Sequence, residues 1–141
     1  QISEQPDALK RMEGKRILLA EDNDLNAEIA IELLAEQKII ADRAMDGADC
    51  LDKLEKAASG YYDMILMDIQ MPVMDGYAAT RAIRGMDRPD AQLPIIAMTA
   101  NLFDEDVAAC LAAGMDAHIP KPLEAGQMIR TIAEWLERKK Q

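Results

Sequence analysis

The hydrophobic residues of this chain gather into short unbroken runs separated by stretches with a helical period. Residues 17–20 (ILLA), 64–67 (MILM) and 95–98 (IIAM) are such runs, and residues 117–119 (AHI) form a briefer one. Runs of this length between polar turn residues predict strands buried on both faces of a parallel sheet. Residues 38–44 (KIIADRA) are more polar and predict an edge strand. Leu25, Ile29 and Leu33 stand four apart and mark one face of a helix that starts at Asp24. Further helical patterns follow Asp46, Asp75, Asp104 and Leu123. Asp24, Asp46, Asp75 and Asp104 each stand where an N-cap belongs, and Gly60 and Gly114 where helices should stop. Strands alternating with helices of about 10–15 residues give β-α units, and five of them in series give an open parallel sheet with helices on both faces. Residues 1–14 and 139–141 fall outside this pattern and read as linker or tail, so one domain is expected over residues 15–138.

Composition narrows the possible partners. Half of the 141 residues are hydrophobic, enough for one core without metal or disulfide staples. Asp plus Glu number 26 against 16 Lys plus Arg, a formal charge of −10. That balance argues against nucleic acid or an anionic membrane as a direct partner. Cys50 and Cys110 lack the close spacing of zinc or redox pairs and read as reduced thiols of a cytosolic protein. No apolar run approaches the ~18 residues of a membrane span, and the first residues lack the pattern of a signal peptide. The ten methionines read as core filling, and Trp135 with Ile129, Ile132 and Leu136 as packing of the last helix.

Ligands of an open parallel α/β sheet bind outside the carboxyl ends of its strands. Here the first strand ends in Glu21-Asp22, the third in Asp68 and the fourth in Thr99 and Ala100, while Lys121-Pro122 follows the fifth. Three carboxylates, a hydroxyl and an ammonium are thus expected on one rim.

These residues lie in four motifs, LLAEDN, MILMDIQMPVMDG, PIIAMTA and HIPKP, which resemble in order and spacing those of response-regulator receiver domains. The resemblance implies an α/β, flavodoxin-like fold: an open doubly wound sheet of five parallel strands in the order 2-1-3-4-5, with five helices. It implies that Asp68 is the phosphoacceptor and takes a phosphoryl group from phosphohistidine. Glu21 and Asp22 match the acidic pair that holds Mg²⁺, for which Mn²⁺ can substitute; Asp22 would ligate directly and Glu21 through water. Asp68 and the backbone carbonyl of Gln70 would complete the protein's ligands. Such a hard-oxygen set suits Mg²⁺, and clustered carboxylates need a cation before they can receive a phosphoryl group. Lys121 and Thr99 match the groups that hold phosphoryl oxygens, so the set supplies the positioning and charge neutralisation that phosphoryl transfer asks for.

Pro122 matches a family position whose Lys-Pro peptide is cis. His118 occupies the switch position, where Tyr or Phe is usual; an imidazole titrates near neutral pH, so coupling to the output face is expected to depend on pH. Asn23 and Asn26 read either as polar residues of a helical first turn or, from the D-N-x-x-N form of hybrid histidine kinase receivers, as lining the site and the partner face. Asn26 and Ala27 would then face the partner, together with the loop after Lys121. Asp75-Gly76 reads as a turn and helix start.

By the same resemblance the partners are the phosphohistidine of a histidine kinase, a histidine-phosphotransfer domain, or both, with a weak homodimer as a further family habit. The location is cytoplasmic, including the cytosolic part of a membrane-bound kinase. The domain would promote its own phosphorylation and dephosphorylation without multiple turnover, while the parent chain would be a hybrid histidine kinase. The alternatives are a freestanding single-domain regulator, a receiver-like module that is never phosphorylated, and a Mg²⁺-dependent aspartyl-phosphate phosphatase. Such phosphatases carry a second Asp two residues after the nucleophile, where this chain has Gln70. A flavin-binding reading lacks a Ser/Thr-rich phosphate loop and the aromatic residues for the ring.

Overall fold

The computed structural model describes residues 12–100 and 104–139. Five strands, β1 (Arg16–Ala20), β2 (Ile40–Ala44), β3 (Met64–Asp68), β4 (Ile95–Thr99) and β5 (Ala117–Pro120), alternate with five helices. The helices are α1 (Asp24–Glu36), α2 (Gly47–Lys56), α3 (Gly76–Arg84), α4 (Asp104–Ala113) and α5 (Ala125–Lys139). All strand pairs are parallel, in the order β2-β1-β3-β4-β5. Strands β3 and β4 are buried along their whole length, as unbroken apolar runs require, while β2 lies at the edge and is mostly half-exposed.

Alternation along the strands sends side chains into two separate cores. Leu18, Ile65, Met67 and Ile95 meet Cys50 and Leu54 of α2, Ala79 and Ile83 of α3, and Cys110 of α4. Ile17, Leu19, Met64, Leu66 and Met98 meet Ala27, Ala30 and Leu34 of α1 and Met128, Ile132 and Leu136 of α5. Trp135 packs at the margin of this second core, with the Arg138 guanidinium 4.5 Å from its ring centroid. Both cysteines are buried and free.

Five local expectations are corrected. The cap of α1 is Asn23, whose backbone is extended and whose side chain accepts from the Asn26 amide; Asp24 is already helical. Ala27 is buried against the sheet, so it cannot face a partner as expected. Met12 and residues 13–14 were expected to belong to a tail, but Met12 is buried in the second core, and Gly14 donates to the Lys38 carbonyl at 2.8 Å. Helix α5 also runs one residue past the expected boundary, through Lys139. Residues 1–11, 140 and 141 lie outside the described residues. Asp46 and Asp75 do cap α2 and α3, each accepting from the amide three residues on at 2.8 Å. The cap expected at Asp104 is instead the first residue of α4. Gly114 directly follows α4 with φ +109°, a left-handed stop that suits glycine.

Arg84, in the last turn of α3, ties distant segments together. It donates to the carbonyls of Ala91, Leu93 and Gly114 at 2.9, 2.7 and 2.9 Å and pairs with Asp116 at 2.9 Å.

Candidate functional site

Strand register determines which residues reach the rim together. Ala20 pairs with Met67, so the next residues, Glu21 and Asp68, leave neighbouring strands at one level. Thr99 pairs with Pro120 across β4 and β5, and the Lys121 amide donates to the Thr99 carbonyl at 2.9 Å. The Lys121-Pro122 peptide is cis.

Glu21, Asp22 and Asp68 each offer a carboxylate oxygen, and these atoms lie within 4.8 Å of one another. Glu21 and Asp68 are buried and Asp22 is exposed, which leaves the cluster open on one side. Lys121 Nζ stands 2.9 Å from Glu21 Oε1 and 3.2 Å from Asp68 Oδ1. A cavity of about 130 Å³ is lined by Asp68, Ile69, Gln70, Thr99, Ala100 and Lys121. Five of the expected site residues, with Gln70 beside them, are therefore assembled by the fold.

Electrostatics match this crowding. Burial, joined by repulsion from Glu21 and opposed by Lys121, pushes the Asp68 carboxyl up to about 6. Burial alone would pull the Lys121 ammonium down, but its hydrogen bond to Glu21 and the Asp68 charge outweigh that and hold it above its usual value. One ammonium against three carboxylates leaves the rim short of positive charge. An all-oxygen donor set with that deficit fits a hard divalent cation.

The end of β3, at Asp68, is held by the loop that follows it. The Gly76 amide donates to the Ile69 carbonyl at 2.8 Å, and the Gly47 amide to the Met74 carbonyl at 3.1 Å. Between them Val73 has φ +69° and is 85% exposed, while the Met74 amide closes a tight turn onto the Pro72 carbonyl at 2.7 Å. A β-branched residue in that region is strained, and such strain persists only where its surroundings impose it.

The remaining expected residues divide. Asn23 serves as the α1 cap, and its amide also donates to Glu21 Oε2 at 3.2 Å, so it helps orient the acidic pair. Asn26 lines a groove of about 330 Å³ beside the site with Ile29, Ala100, Lys121, Pro122 and Leu123. His118 is not at the carboxylates. It is half-buried in another groove of about 400 Å³ that includes Val107, Leu111, Glu134 and Trp135.

The response regulator receiver domain family matches residues 17–133. The chain belongs to this family. Its fold and its four motifs are those of a receiver of two-component and phosphorelay signalling. Among curated proteins it is 36% identical over 122 residues to hybrid signal transduction histidine kinase L of Dictyostelium discoideum, which covers 85% of this chain and 7% of that protein. It is 42% identical over 127 residues to histidine protein kinase 1 of Candida albicans, covering 84% of this chain and 5% of that one. This receiver thus spans only a small part of the kinases it matches. Among solved structures, the receiver domain of a Pseudomonas aeruginosa sensor histidine kinase, described with a magnesium ion coordinated in its active-site cleft, superposes with a TM-score of 0.79 at 36% identity. That match covers 88% of this chain and 98% of that one. A Saccharomyces cerevisiae response-regulator receiver, crystallised with the histidine phosphotransfer protein upstream of it, superposes at 0.78 with 28% identity, covering 88% and 90%. Among the described residues no helix is long and apolar enough to cross a membrane.

Two features of the site escaped the sequence reading. One is the apolar surface beside it, where Leu25 is 65% and Ile29 is 41% exposed. The other is Arg43, which reaches the acidic loop from the edge strand at 3.0 Å. The four-residue spacing marked a helix without saying which way it faces, and nothing in KIIADRA distinguishes an arginine held by a loop from one in water.

Proposed function

We propose that this receiver accepts a phosphoryl group onto Asp68 from a phosphohistidine, assisted by Mg²⁺. The observation that carries this reading is the approach of Lys121 to Glu21 and Asp68 at 2.9 and 3.2 Å, which joins the fifth strand's exit to the acidic pair and the nucleophile. An Asp68 carboxylate oxygen attacks phosphorus, the bond to the donor imidazole nitrogen breaks, and its electron pair returns to the ring. The product is an acyl phosphate on Asp68. Glu21, Asp22, Asp68 and the Gln70 carbonyl would hold the metal, which when bound neutralises charge on the phosphoryl oxygens. Lys121 would pair with one phosphoryl oxygen, and the Thr99 hydroxyl would donate to another. The neighbouring receiver described with magnesium supports the choice of metal.

The donor is proposed to be the phosphohistidine of a hybrid histidine kinase or of a phosphotransfer domain, and the parent chain such a kinase. Exposed Leu25 and Ile29, with the adjacent groove reaching Leu123, offer an apolar surface beside the nucleophile for such a partner. The yeast complex shows a receiver of this fold bound to a phosphotransfer protein.

Intact mass after incubation with Mg²⁺ and acetyl phosphate tests the chemistry. A single phosphoryl adduct is expected, absent with EDTA and absent from Asp68→Asn. No adduct despite confirmed Mg²⁺ binding would reject the reading, and rapid donor consumption without an adduct would point to a phosphatase.

A further inference from the structure

Arg43 touches none of the groups assigned to the reaction through their side chains, yet it is fastened to the loop that carries two of them. Glu21, Asp22 and Asn23 make the whole link between β1 and α1. Arg43 Nε donates to the Glu21 carbonyl at 3.0 Å, and Arg43 Nη1 to Asp24 Oδ1 at 2.8 Å. One guanidinium therefore spans the link from its first residue to the first residue of the helix. The Glu21 amide in turn donates to the Ala44 carbonyl at 3.1 Å, so the end of β2 fixes Glu21 through both its N–H and its C=O.

This is unusual behaviour for an arginine on an edge strand, where charged side chains ordinarily stand in water and discourage pairing with other chains. The Arg43 side chain is only 21% exposed. Its Nη2 is the one buried side-chain nitrogen without a protein hydrogen-bond partner among the described residues. An arrangement that leaves a guanidinium nitrogen unmatched costs stability, and the two bonds to the acidic link are what the side chain makes in return. The planar fork of a guanidinium can serve both acceptors at once, which an ammonium does poorly.

We propose that Arg43 is a positioning residue for the metal-binding acidic pair: by holding the Glu21 carbonyl and the head of α1, it sets the direction in which the Glu21 and Asp22 carboxylates leave the loop. The inference rests on the Mg²⁺-assisted reading of the site. Positioning and charge make opposite demands. A cation beside the site repels Mg²⁺, so if Arg43 acted through charge alone its loss would tighten binding. If it acts by position, its loss loosens binding although a positive charge has been removed.

The test is calorimetric titration of Mg²⁺ into the wild type, Arg43→Gln and Arg43→Lys, with thermal unfolding in EDTA measured alongside. Removing a group that orients a metal ligand weakens binding by roughly tenfold or more. Both variants are expected to bind Mg²⁺ about tenfold more weakly than the wild type, and saturating Mg²⁺ should restore adduct formation with acetyl phosphate. Arg43→Lys keeps the cation and guards against a Gln variant that does not fold. Unchanged or tighter binding in Arg43→Gln, or wild-type affinity in Arg43→Lys, would overturn the proposal while leaving the function intact. A wild type that binds no Mg²⁺ would instead overturn the functional reading itself.

Discussion

Gly76 lies against the backbone of Asp68: a Cβ built on it would stand 2.4 Å from the Asp68 carbonyl oxygen. The first residue of α3 is therefore the floor beneath the end of β3. Glycine is needed here for closeness, since its φ is not in the left-handed region.

Gly76→Ala should consequently destabilise the domain by about 1–3 kcal/mol, the usual cost of forcing a methyl group into a packed site. Alanine is otherwise preferred to glycine in a helix by about 0.5–1 kcal/mol, so a net loss in chemical denaturation identifies the contact with Asp68. The rate of acetyl phosphate labelling should fall in the same variant, because the displaced atoms belong to Asp68, the proposed phosphoacceptor.

Asp68→Asn should stabilise the metal-free protein at pH 7. A carboxyl raised to about 6 in the folded state binds its proton more tightly there than in the unfolded chain. The fold therefore loses stability as pH rises from the ordinary carboxylate range through about 6, and an amide escapes that loss. The advantage, about 1 kcal/mol or more at pH 7, should shrink toward pH 4 in thermal melts. Mg²⁺ should reverse the order at neutral pH, since a ligand at a hundred times its Kd adds about 2.7 kcal/mol to the form that binds it.

Cys50 predicts weakness toward alkali. Burial, with the nearby Asp49 charge, pushes its thiol up to about 12. Tyr62 is raised in the same direction, by burial and by its hydrogen bond to Asp42 at 2.9 Å. Above the ordinary thiol value of about 8.5 the unfolded chain releases a proton that the folded chain retains. Stability should therefore fall with rising pH between about 8.5 and 12, and Cys50→Ala should flatten part of that slope in denaturation at a series of pH values. The native thiol should also resist alkylation at pH 8.

Thr80 is fully buried in α3, and its hydroxyl finds no hydrogen-bond partner among the described residues. Thr80→Val removes an unsatisfied polar group at nearly constant shape and should raise stability by about 1 kcal/mol. Urea denaturation that shows a loss instead would mean the hydroxyl is bonded in solution.

The strands were legible because short apolar runs between polar turns admit little except buried parallel strands, and the rim residues followed from where those runs end; the strand order came from the resemblance of the four motifs to receiver domains. The face of α1 was not legible. Leu25, Ile29 and Leu33 form its most visible stripe, yet Ala27, Ala30 and Leu34 are what it lays on the sheet. Ala27 and Ala30 let the helix come close to the sheet while Leu25 and Ile29 turn outward, so hydrophobicity alone pointed to the wrong side. Asn23 was overlooked as the cap because Asp24 beside it is an equally good capping type. Met12 is buried in a core whose other members reach as far along the chain as Leu136, which no local pattern records. Arg43 was missed for the same reason, since its two acceptors lie 19 and 22 residues away in the chain.

The four bonds of Arg84 determine how motion can spread from the site. Two of them fasten the exit of α4, at Gly114 and Asp116, to the last turn of α3, and the other two hold the segment before β4 at Ala91 and Leu93. Helix α4 is thereby anchored at its exit, so a displacement of the helix would have to break these bonds or leave its Gly114 end in place.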